Sequence, residues 1–301
     1  ADAAGWTRRF AERIAGARGA GEALAEQLVS LQVRAAGLVR EMEFGFLYDG
    51  ARDLFHIGYN VSSGRLDGSY YDLLASEARL ASLVAIARGQ VPTRHWLHLG
   101  RPLTRDGGEP VLLSWSGSMF EYLLPPLLAR TPPRSLLELA CRAAVERHIR
   151  HGARHRVPWG VSESAYAELD AQRGYQYRAF GVAGLALRRD EGERLVIAPY
   201  ASALALAWAP VAAAANLRRL EGMGMMGMYG LFDAVDYGPP ARWARREGTP
   251  VRTWMAHHQG MVLLAVDNAL NGGPMVERFH RHPSIAAAEL LLHEQVPGRV
   301  R

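Results

Sequence analysis

The chain has 301 residues, enough for one large domain or two small ones with a full hydrophobic core. Its hydrophobic fraction of 49% and charged fraction of 22% are typical of a folded globular protein and exclude a disordered chain. The formal net charge of +5 comes from 35 basic residues that are all arginine. These arginines are interleaved with Asp and Glu and form no basic stripe, so we expect no nucleic-acid partner.

Membrane and disulfide signals are weak. The first 18 residues are charged and lack the continuous apolar stretch of a signal peptide. The longest apolar run, residues 201–217, is mostly alanine and contains Pro210, which predicts no membrane span in this segment. Cys141 is the single cysteine and has no second cysteine with which to form an internal disulfide. We therefore expect a soluble segment.

Helical periodicity dominates the chain. Residues 1–43 are rich in Ala, Leu, Arg and Glu at helical spacing, which predicts an N-terminal connector of one or two helices ahead of a domain at 44–301. Residues 47–48 and 54–59 predict a pair of strands, and residues 195–197 predict another. Residues 175–180 predict a loop, and residues 222–238 predict a loop with a short helix. Further helices are predicted at residues 70–89, 136–152, 201–209, 211–221, 251–270 and 275–292. Paired helices without βαβ alternation favour a mainly helical toroid whose loops build a cleft.

The segment PWGVSESAY, residues 158–166, carries the clearest chemical signal. A constrained turn places Trp159 beside Glu163, which lies between two serines. Tryptophan offers a flat apolar face to a sugar ring, and glutamate is the usual proton donor or nucleophile at an anomeric carbon. A surface turn whose serines cap the next helix explains the same residues. Both interpretations stay open on this segment alone.

Other reaction chemistries lack their motifs. Neighbouring His257 and His258 point about 100 degrees apart on a helix, and HEXXH is absent, so we expect no metal site. One of these histidines is expected to pack while the other binds a neighbouring group or a sugar hydroxyl. The residues around Ser116 lack the G-x-S-x-G elbow, and there is no GxGxxG or Walker loop. We expect no cofactor.

Paired carboxylates remain. Retaining glycoside cleavage needs two carboxyl groups about 5 to 5.5 Å apart, and inverting cleavage about 6.5 to 9.5 Å. The sequence does not give that distance. Acidic residues in aromatic or small-residue surroundings are the candidates: Glu77, Glu121, Glu163, Asp233 and Asp236.

Several segments together resemble one known family. They include RLDGSYYDLLASEARLASLVAIARGQVP, HWLHLGRPLT, WSGSMFEYLLP, VPWGVSESAY, YQYRAFGVAGLALRR, VIAPYASALAL, YGLFDAVDY and MAHHQGM. Their succession resembles the glucoamylase-like middle domain of bacterial cyclic β-1,2-glucan synthases, from about residue 40 to the end of the chain. The resemblance implies a mainly α fold, an (α/α)6 toroid with short β-hairpins in its loops.

The resemblance also implies an activity and a setting. The family cuts a linear β-1,2-glucan internally, holds it as a glycosyl-enzyme with retention, and closes it on its own non-reducing end. The implied partners are this glucan and flanking glycosyltransferase and phosphorylase-like domains of the same polypeptide. The implied location is the cytoplasmic side of the bacterial inner membrane.

Residue by residue, the resemblance assigns the nucleophile to Glu77 and the acid/base to Glu163. Asp233 departs from the family, where we expect glutamate, and so reaches about one methylene less far. The substrate-binding candidates that the matching segments imply are Trp115, Glu121, Tyr122, Trp159, Tyr175, Tyr177, Arg178, Tyr200, Asp233, Asp236, His257, His258 and Gln259.

Two alternatives use the same residues. A hydrolytic endo-β-1,2-glucanase needs the same two glutamates and passes the intermediate to water instead of to a sugar hydroxyl. A glucan-binding module with a decayed site needs only the aromatic residues, although the intact ASEARL and SESAY segments favour catalysis.

Overall fold

The structure, a computed structural model, describes residues 2–106, 109–188, 194–239 and 247–295, apart from the side chains of residues 76, 77, 106, 109 and 110. It divides into two compact units, Ala1–Phe46 and Leu47–Arg301. The domain boundary predicted from sequence lay between residues 43 and 44.

The first unit contains one long helix, α1 (Ala3–Glu41). The Asp2 carboxylate caps it by accepting the Gly5 N–H at 2.9 Å. None of its residues is buried, and Trp6 stacks on Phe10 with ring centroids 5.1 Å apart. The predicted helical character of this segment is confirmed, and its role as a connector stays a prediction.

The second unit is mainly helical, as predicted. Prolines begin four of its helices, where a missing N–H costs no hydrogen bond. Among the described residues, no helix is both long enough and apolar enough to cross a membrane. The helices are α2 (Ser76–Ala87), α3 (Arg94–His98), α4 (Met119–Leu123), α5 (Leu136–His155), α6 (Pro199–Leu204), α7 (Pro210–Gly222), α8 (Ala256–Asn271), α9 (Pro274–His280) and α10 (Pro283–Ala288).

Helix α2 begins six residues later than its sequence pattern predicted. The Asp72 carboxylate accepts the Leu74 N–H at 2.9 Å, and the Leu73 N–H bonds the Gly100 carbonyl. These bonds hold residues 72–75 in a turn, because an aspartate that bonds the backbone two residues on competes with the helix.

Short antiparallel strands fill the connections. The predicted strands near residues 48 and 55 pair, and the predicted strand near residue 196 forms. Two predictions were wrong: residues 175–178 form a strand, and residues 226–236 contribute strands instead of a loop with a short helix. The strands are β1 (Tyr48–Asp49), β2 (Leu54–Phe55), β3 (Tyr59–Asn60), β4 (Arg65–Leu66), β5 (Leu103–Asp106), β6 (Glu109–Leu112), β7 (Ser164–Leu169), β8 (Tyr175–Arg178), β9 (Val196–Ile197), β10 (Met226–Gly227), β11 (Gly230–Leu231), β12 (Ala234–Asp236) and β13 (Thr249–Val251).

Two small sheets hold the segment that follows residue 158. Strands β7 and β8 form a hairpin in which Ala165 lies opposite Tyr177. Strand β12 pairs with both β9 and β13, which makes the one three-stranded sheet among the described residues. Helix α6 follows β9 directly, so its first turn lies at the edge of this sheet.

Helix α5 is central to the core and carries a buried histidine. His148 is 1% exposed, and its Nε2–H donates to the Gly117 carbonyl at 3.2 Å. Burial lowers the pKa of His148 to about 3, with the nearby His151 adding to the effect. Burial likewise lowers the pKa of His151 to about 4. The folded protein therefore keeps both imidazoles neutral where an unfolded chain would protonate them.

This burial predicts an acid-sensitive fold. Below about pH 6.5 the unfolded chain takes up protons that the folded chain does not bind, so the free energy of unfolding falls as the pH falls. His148→Gln keeps a side-chain N–H for Gly117 and removes one titration. Urea unfolding between pH 7 and pH 4 should show a shallower pH dependence, by at most about 1.4 kcal/mol per pH unit. The exposed His282→Gln is the control, and an equal change in both variants would contradict the assignment.

Candidate active site

The segment around Glu163 is held rigidly by its backbone. Asn216 of α7 both donates to the Trp159 carbonyl at 2.8 Å and accepts the Trp159 N–H at 3.2 Å. Gly160 has a φ of +113° and faces Ala201 closely, so this bend requires glycine. Ser162 Oγ accepts the Phe120 N–H at 3.0 Å, which ties the segment to α4. Glu163 is half-buried at the end of this braced stretch.

Tyr200, in the first turn of α6, fixes the backbone of Glu163. Its hydroxyl donates to the Glu163 carbonyl at 3.0 Å and lies 2.8 Å from Ser162 Oγ. Burial raises the pKa of Tyr200 well above its usual value, and the negative charges of Glu163 and Asp233 act in the same direction. Tyr200 therefore stays a neutral hydrogen-bonding group.

Asp233 and His258 form a buried pair behind Tyr200. Asp233 Oδ1 lies 2.6 Å from His258 Nδ1, and Asp233 Oδ2 accepts the Ala165 N–H at 2.7 Å. Asp233 is 2% exposed and His258 is 1% exposed. The His258 ring stacks on the Tyr200 ring with centroids 3.9 Å apart. The short side chain of Asp233 thus reaches both of its partners.

Tyr177 of β8 lies on the other side of the imidazole pair. Its hydroxyl is 3.3 Å from His258 Nε2 and 3.5 Å from His257 Nε2. Tyr177 is 42% exposed, so this cluster runs from the core to the surface. Burial, followed by the charge that His258 would carry, lowers the pKa of His257.

We name this group the tyrosine–histidine cluster. It comprises residues that the sequence analysis singled out one by one and that the structure brings together: Glu163, Tyr177, Tyr200, Asp233, His257 and His258.

Glu77 belongs to the first turn of α2, but its side chain lies outside the described residues. The backbone gives its setting: α2 packs against α4, and α4 bonds the segment that precedes Glu163. The Met119 N–H donates to the Val161 carbonyl at 3.2 Å. Helix α4 therefore contacts both of the segments that carry the predicted glutamates.

Glu121 and Tyr122 are buried in α4. Ser118 begins the helix with a capping box, and Glu121 completes that box. The Glu121 carboxylate also accepts from the hydroxyls of Ser114 and Ser116. The Tyr122 hydroxyl donates to the Leu112 carbonyl at 2.8 Å, and the residue is fully buried. These contacts give both residues a structural role, and their substrate-binding role stays a prediction.

The remaining aromatic and basic candidates differ in exposure. Trp115 is 59% exposed and Trp159 only 7%, so Trp115 offers a ring face to solvent and Trp159 does not. Tyr175 and Arg178 are exposed on β8, the strand that carries Tyr177. The Arg178 guanidinium lies 5.9 Å from the centre of the Phe180 ring.

Asp236 and Gln259 have partners outside the tyrosine–histidine cluster. Asp236 is 3% exposed, pairs with Arg194 at 2.7 Å and accepts the Ala167 N–H at 2.8 Å. The Gln259 amide donates to the Leu231 carbonyl at 3.1 Å and so braces the β10–β11 hairpin. Binding of substrate by either residue stays a prediction.

Asp72 is a partly buried carboxyl group that no sequence pattern singled out. Burial raises its pKa to about 6, the nearby Glu121 acts in the same direction, and Arg79 opposes the shift. Arg79 is 4% exposed and donates to the Tyr122 carbonyl. The one sequence signal for this residue is its position just before an apolar helix, which indicates a carboxyl group that is partly buried. In the described part of the chain, no group of three or more His, Cys, Asp and Glu side chains is placed to hold a metal ion.

Comparison with known proteins identifies the class. A family model named Glycoamylase and described as "Putative glucoamylase" matches residues 69–283. A crystal structure described as a putative glucoamylase from Bacteroides caccae aligns with a TM-score of 0.64 at 18% identity, covering 88% of this chain and 65% of that chain. An endo-β-1,2-glucanase from Chitinophaga pinensis, solved with sophorotriose and glucose, aligns with a TM-score of 0.65 at 17% identity, covering 90% of this chain and 66% of that chain. The predicted glucoamylase-like, mainly α toroid is confirmed.

The chain belongs to the Glycoamylase family, a family of glycoside-hydrolase type. It is 47% identical over 279 residues to the cyclic β-(1,2)-glucan synthase NdvB of Rhizobium meliloti (strain 1021), across 93% of this chain. The chain spans 10% of the length of that relative. The resemblance inferred from the sequence segments is therefore confirmed.

The contacts of Glu121 generate a stability prediction. Glu121→Gln replaces a carboxylate oxygen that accepts from serine hydroxyls and backbone N–H groups with an N–H donor. We expect the free energy of unfolding to fall by about 2 to 4 kcal/mol, because buried donors lose a charged acceptor. Urea unfolding measures the change, and the exposed Glu146→Gln, on α5, should stay within about 0.5 kcal/mol of the parent chain. A stable Glu121→Gln variant with weakened glucan binding would instead support the predicted substrate contact.

Proposed function

We propose that this chain cleaves linear β-1,2-glucan internally and rejoins the new end to the same molecule's non-reducing end. The observation that carries the proposal is the tyrosine–histidine cluster, in which Tyr200 donates to the Glu163 carbonyl at 3.0 Å and the Tyr177 hydroxyl lies 3.3 Å from His258 Nε2. Support for the substrate comes from the relatives, since the similar synthase and the similar glucanase are both named for β-1,2-glucan.

The chemistry needs two carboxyl groups, which we assign to Glu77 and Glu163. One carboxylate attacks the anomeric carbon while the other, as a carboxylic acid, protonates the departing 2-oxygen, so the glycosidic bond breaks and a glycosyl-enzyme forms. The second group, now a carboxylate, removes the proton from the 2-hydroxyl at the non-reducing end. That oxygen attacks the anomeric carbon and releases the first carboxylate, with net retention.

A test of the pair uses Glu77→Gln and Glu163→Gln. Each should lower turnover of linear β-1,2-glucan by roughly 1,000-fold or more, because neither amide can attack carbon or transfer the proton. Glu168→Gln is the matched control, since Glu168 is exposed and lies in β7, the strand that begins directly after Glu163. Circular dichroism verifies folding. Full turnover in either folded variant would remove that glutamate from the mechanism.

Azide, used as an external nucleophile, distinguishes which glutamate is the nucleophile and which is the acid/base. The resemblance gives the nucleophile to Glu77 and the acid/base to Glu163. In the alanine variant of the acid/base residue, a β-1,2-gluco-oligosaccharide with an activated aryl leaving group forms the glycosyl-enzyme without protonation, and azide attacks it to give a β-glycosyl azide. In the alanine variant of the nucleophile, azide attacks from the vacated face and gives the α-anomer. NMR of the products distinguishes the expected assignment from the reverse.

Hydrolysis is the second candidate, favoured by the structural likeness to the Chitinophaga pinensis endo-β-1,2-glucanase. Cyclisation forms rings that are lighter by one water than the linear chains and adds no reducing ends. Hydrolysis adds one reducing end per cut. Reducing-end assays with mass spectrometry of the products therefore decide between transfer and hydrolysis, and binding without turnover would favour a non-catalytic glucan-binding module.

We further propose that the chain works beside glycosyltransferase and phosphorylase-like domains at the cytoplasmic side of a bacterial inner membrane. This setting rests on the resemblance and on the small share of the synthase that the chain spans. Fractionation of cells that express the corresponding full-length polypeptide tests it. Recovery of that polypeptide outside the membrane fraction would contradict the location.

A further inference from the structure

Helix α1 carries a regular stripe of apolar and small residues along most of its length. The stripe recurs at alternating steps of three and four positions, which is the repeat of a coiled coil. Such a repeat keeps the stripe facing one partner helix as the two helices wind around each other. We name this stripe the heptad seam; its members are Thr7, Phe10, Ile14, Ala17, Gly21, Leu24, Leu28, Leu31, Ala35 and Leu38.

The heptad seam is exposed in the single chain. A long helix gains most of its stability from the packing of its apolar face, and α1 also contains five glycines, which weaken a helix on its own. Burial of the seam against a partner would supply that stability. The large members of the seam are each more than half exposed: Phe10, Ile14, Leu24, Leu28, Leu31 and Leu38.

A second copy of α1 that runs antiparallel matches the heptad seam in size. When the two helices overlap over their whole length, four of the five kinds of layer combine a large side chain with a small one. Alternating large and small residues across facing positions fills a core without voids. The layers are Phe10 with Ala35, Leu28 with Ala17, Leu24 with Gly21, Leu38 with Thr7, and Ile14 with Leu31.

Other arrangements of two copies lose this match. An antiparallel pair shifted by one heptad sets Leu28 against Phe10 and leaves Gly21 against Ala17. A parallel pair sets each residue against its own copy, so that large residues face large ones and small residues face small ones. The match in size therefore selects both the direction and the register.

The charges of α1 favour the same direction. Residues 3–21 contain four arginines and one glutamate, whereas residues 22–41 contain three glutamates and two arginines. An antiparallel pair sets the basic half of each helix against the acidic half of the other and also opposes the two helix dipoles. Arg13 and Arg34 come close at the exposed edge of one layer, where charge repulsion is weak.

We propose that the heptad seam is the interface of a homodimer, in which the α1 helices of two chains form an antiparallel coiled coil. The partner is a second copy of this chain, because its seam fits in size and its two halves fit in charge. The inference concerns the first compact unit and does not depend on the proposed function.

Sedimentation equilibrium of the full chain tests the association. We expect twice the 33.1 kDa mass of one chain at micromolar concentration. The mass of a single chain at every concentration would overturn the inference. It would assign the seam to a different partner, either a membrane surface or a further segment of a longer polypeptide.

A matched pair of variants locates the interface. Leu31→Glu should raise the dissociation constant of the dimer by roughly 100-fold or more, because each dimer then buries two unpaired carboxylates. Val33→Glu is the control, since Val33 is 61% exposed against 56% for Leu31 but lies outside the seam. It should leave the dissociation constant unchanged. Circular dichroism verifies folding, and equal effects of the two variants would contradict the proposed interface.

The distance between spin labels tests the direction. Arg8→Cys places a label outside the seam, and the native Cys141 is buried and so protected from labelling. In the antiparallel dimer the two labels should be roughly 40 Å or more apart, because residue 8 of each chain lies near residue 37 of the other and a helix rises about 1.5 Å per residue. Double electron–electron resonance measures this distance. Labels held side by side would show a parallel pair and overturn the proposed arrangement.

Discussion

The carboxylate of Asp233 is the contact on which the site depends. One oxygen accepts a backbone N–H of β7 two residues after Glu163, and the other faces His258 of α8. A buried carboxylate is costly unless donors surround it, so these two elements cannot separate without leaving the charge unpaired. The two carboxylate oxygens of Asp233 therefore fix both the strand that follows Glu163 and the imidazole of His258. A catalytic carboxyl group needs such rigid support to be held in a fixed orientation to the sugar.

Other buried carboxylates in this fold have different partners. Glu121 is surrounded by serine hydroxyls and closes the capping box of α4, and Asp236 is neutralised by Arg194. Neither carboxylate belongs to the tyrosine–histidine cluster. The acidic residues that the sequence marked as equivalent thus divide into those that hold the loops in place and those grouped around Glu163. The two groups differ in the residues that each carboxylate contacts, and burial alone does not separate them.

The membership of the chain in the Glycoamylase family and its likeness to a β-1,2-glucan synthase agree with this division. The family model begins at residue 69 and ends at residue 283, so it includes every residue of the tyrosine–histidine cluster and the first turn of α2. Helix α1 lies outside that match, has no buried residue and forms most of a separate compact unit. The residues to which the chemistry is assigned therefore all lie in the second unit.

The sequence by itself predicted most of the helices and marked the segment around Glu163 as a candidate site. Helical periodicity is a local property, and α5 and α7 appear within a few residues of the predicted bounds. Only the tertiary structure decided which polar side chains meet. Asp233 and Ala165 are 68 residues apart in the chain, and Tyr177 and His258 are 81 apart, so no local pattern records their contact. The β7–β8 hairpin was missed although Tyr175 and Tyr177 favour a strand, because residues 175–178 alone do not record their pairing with β7.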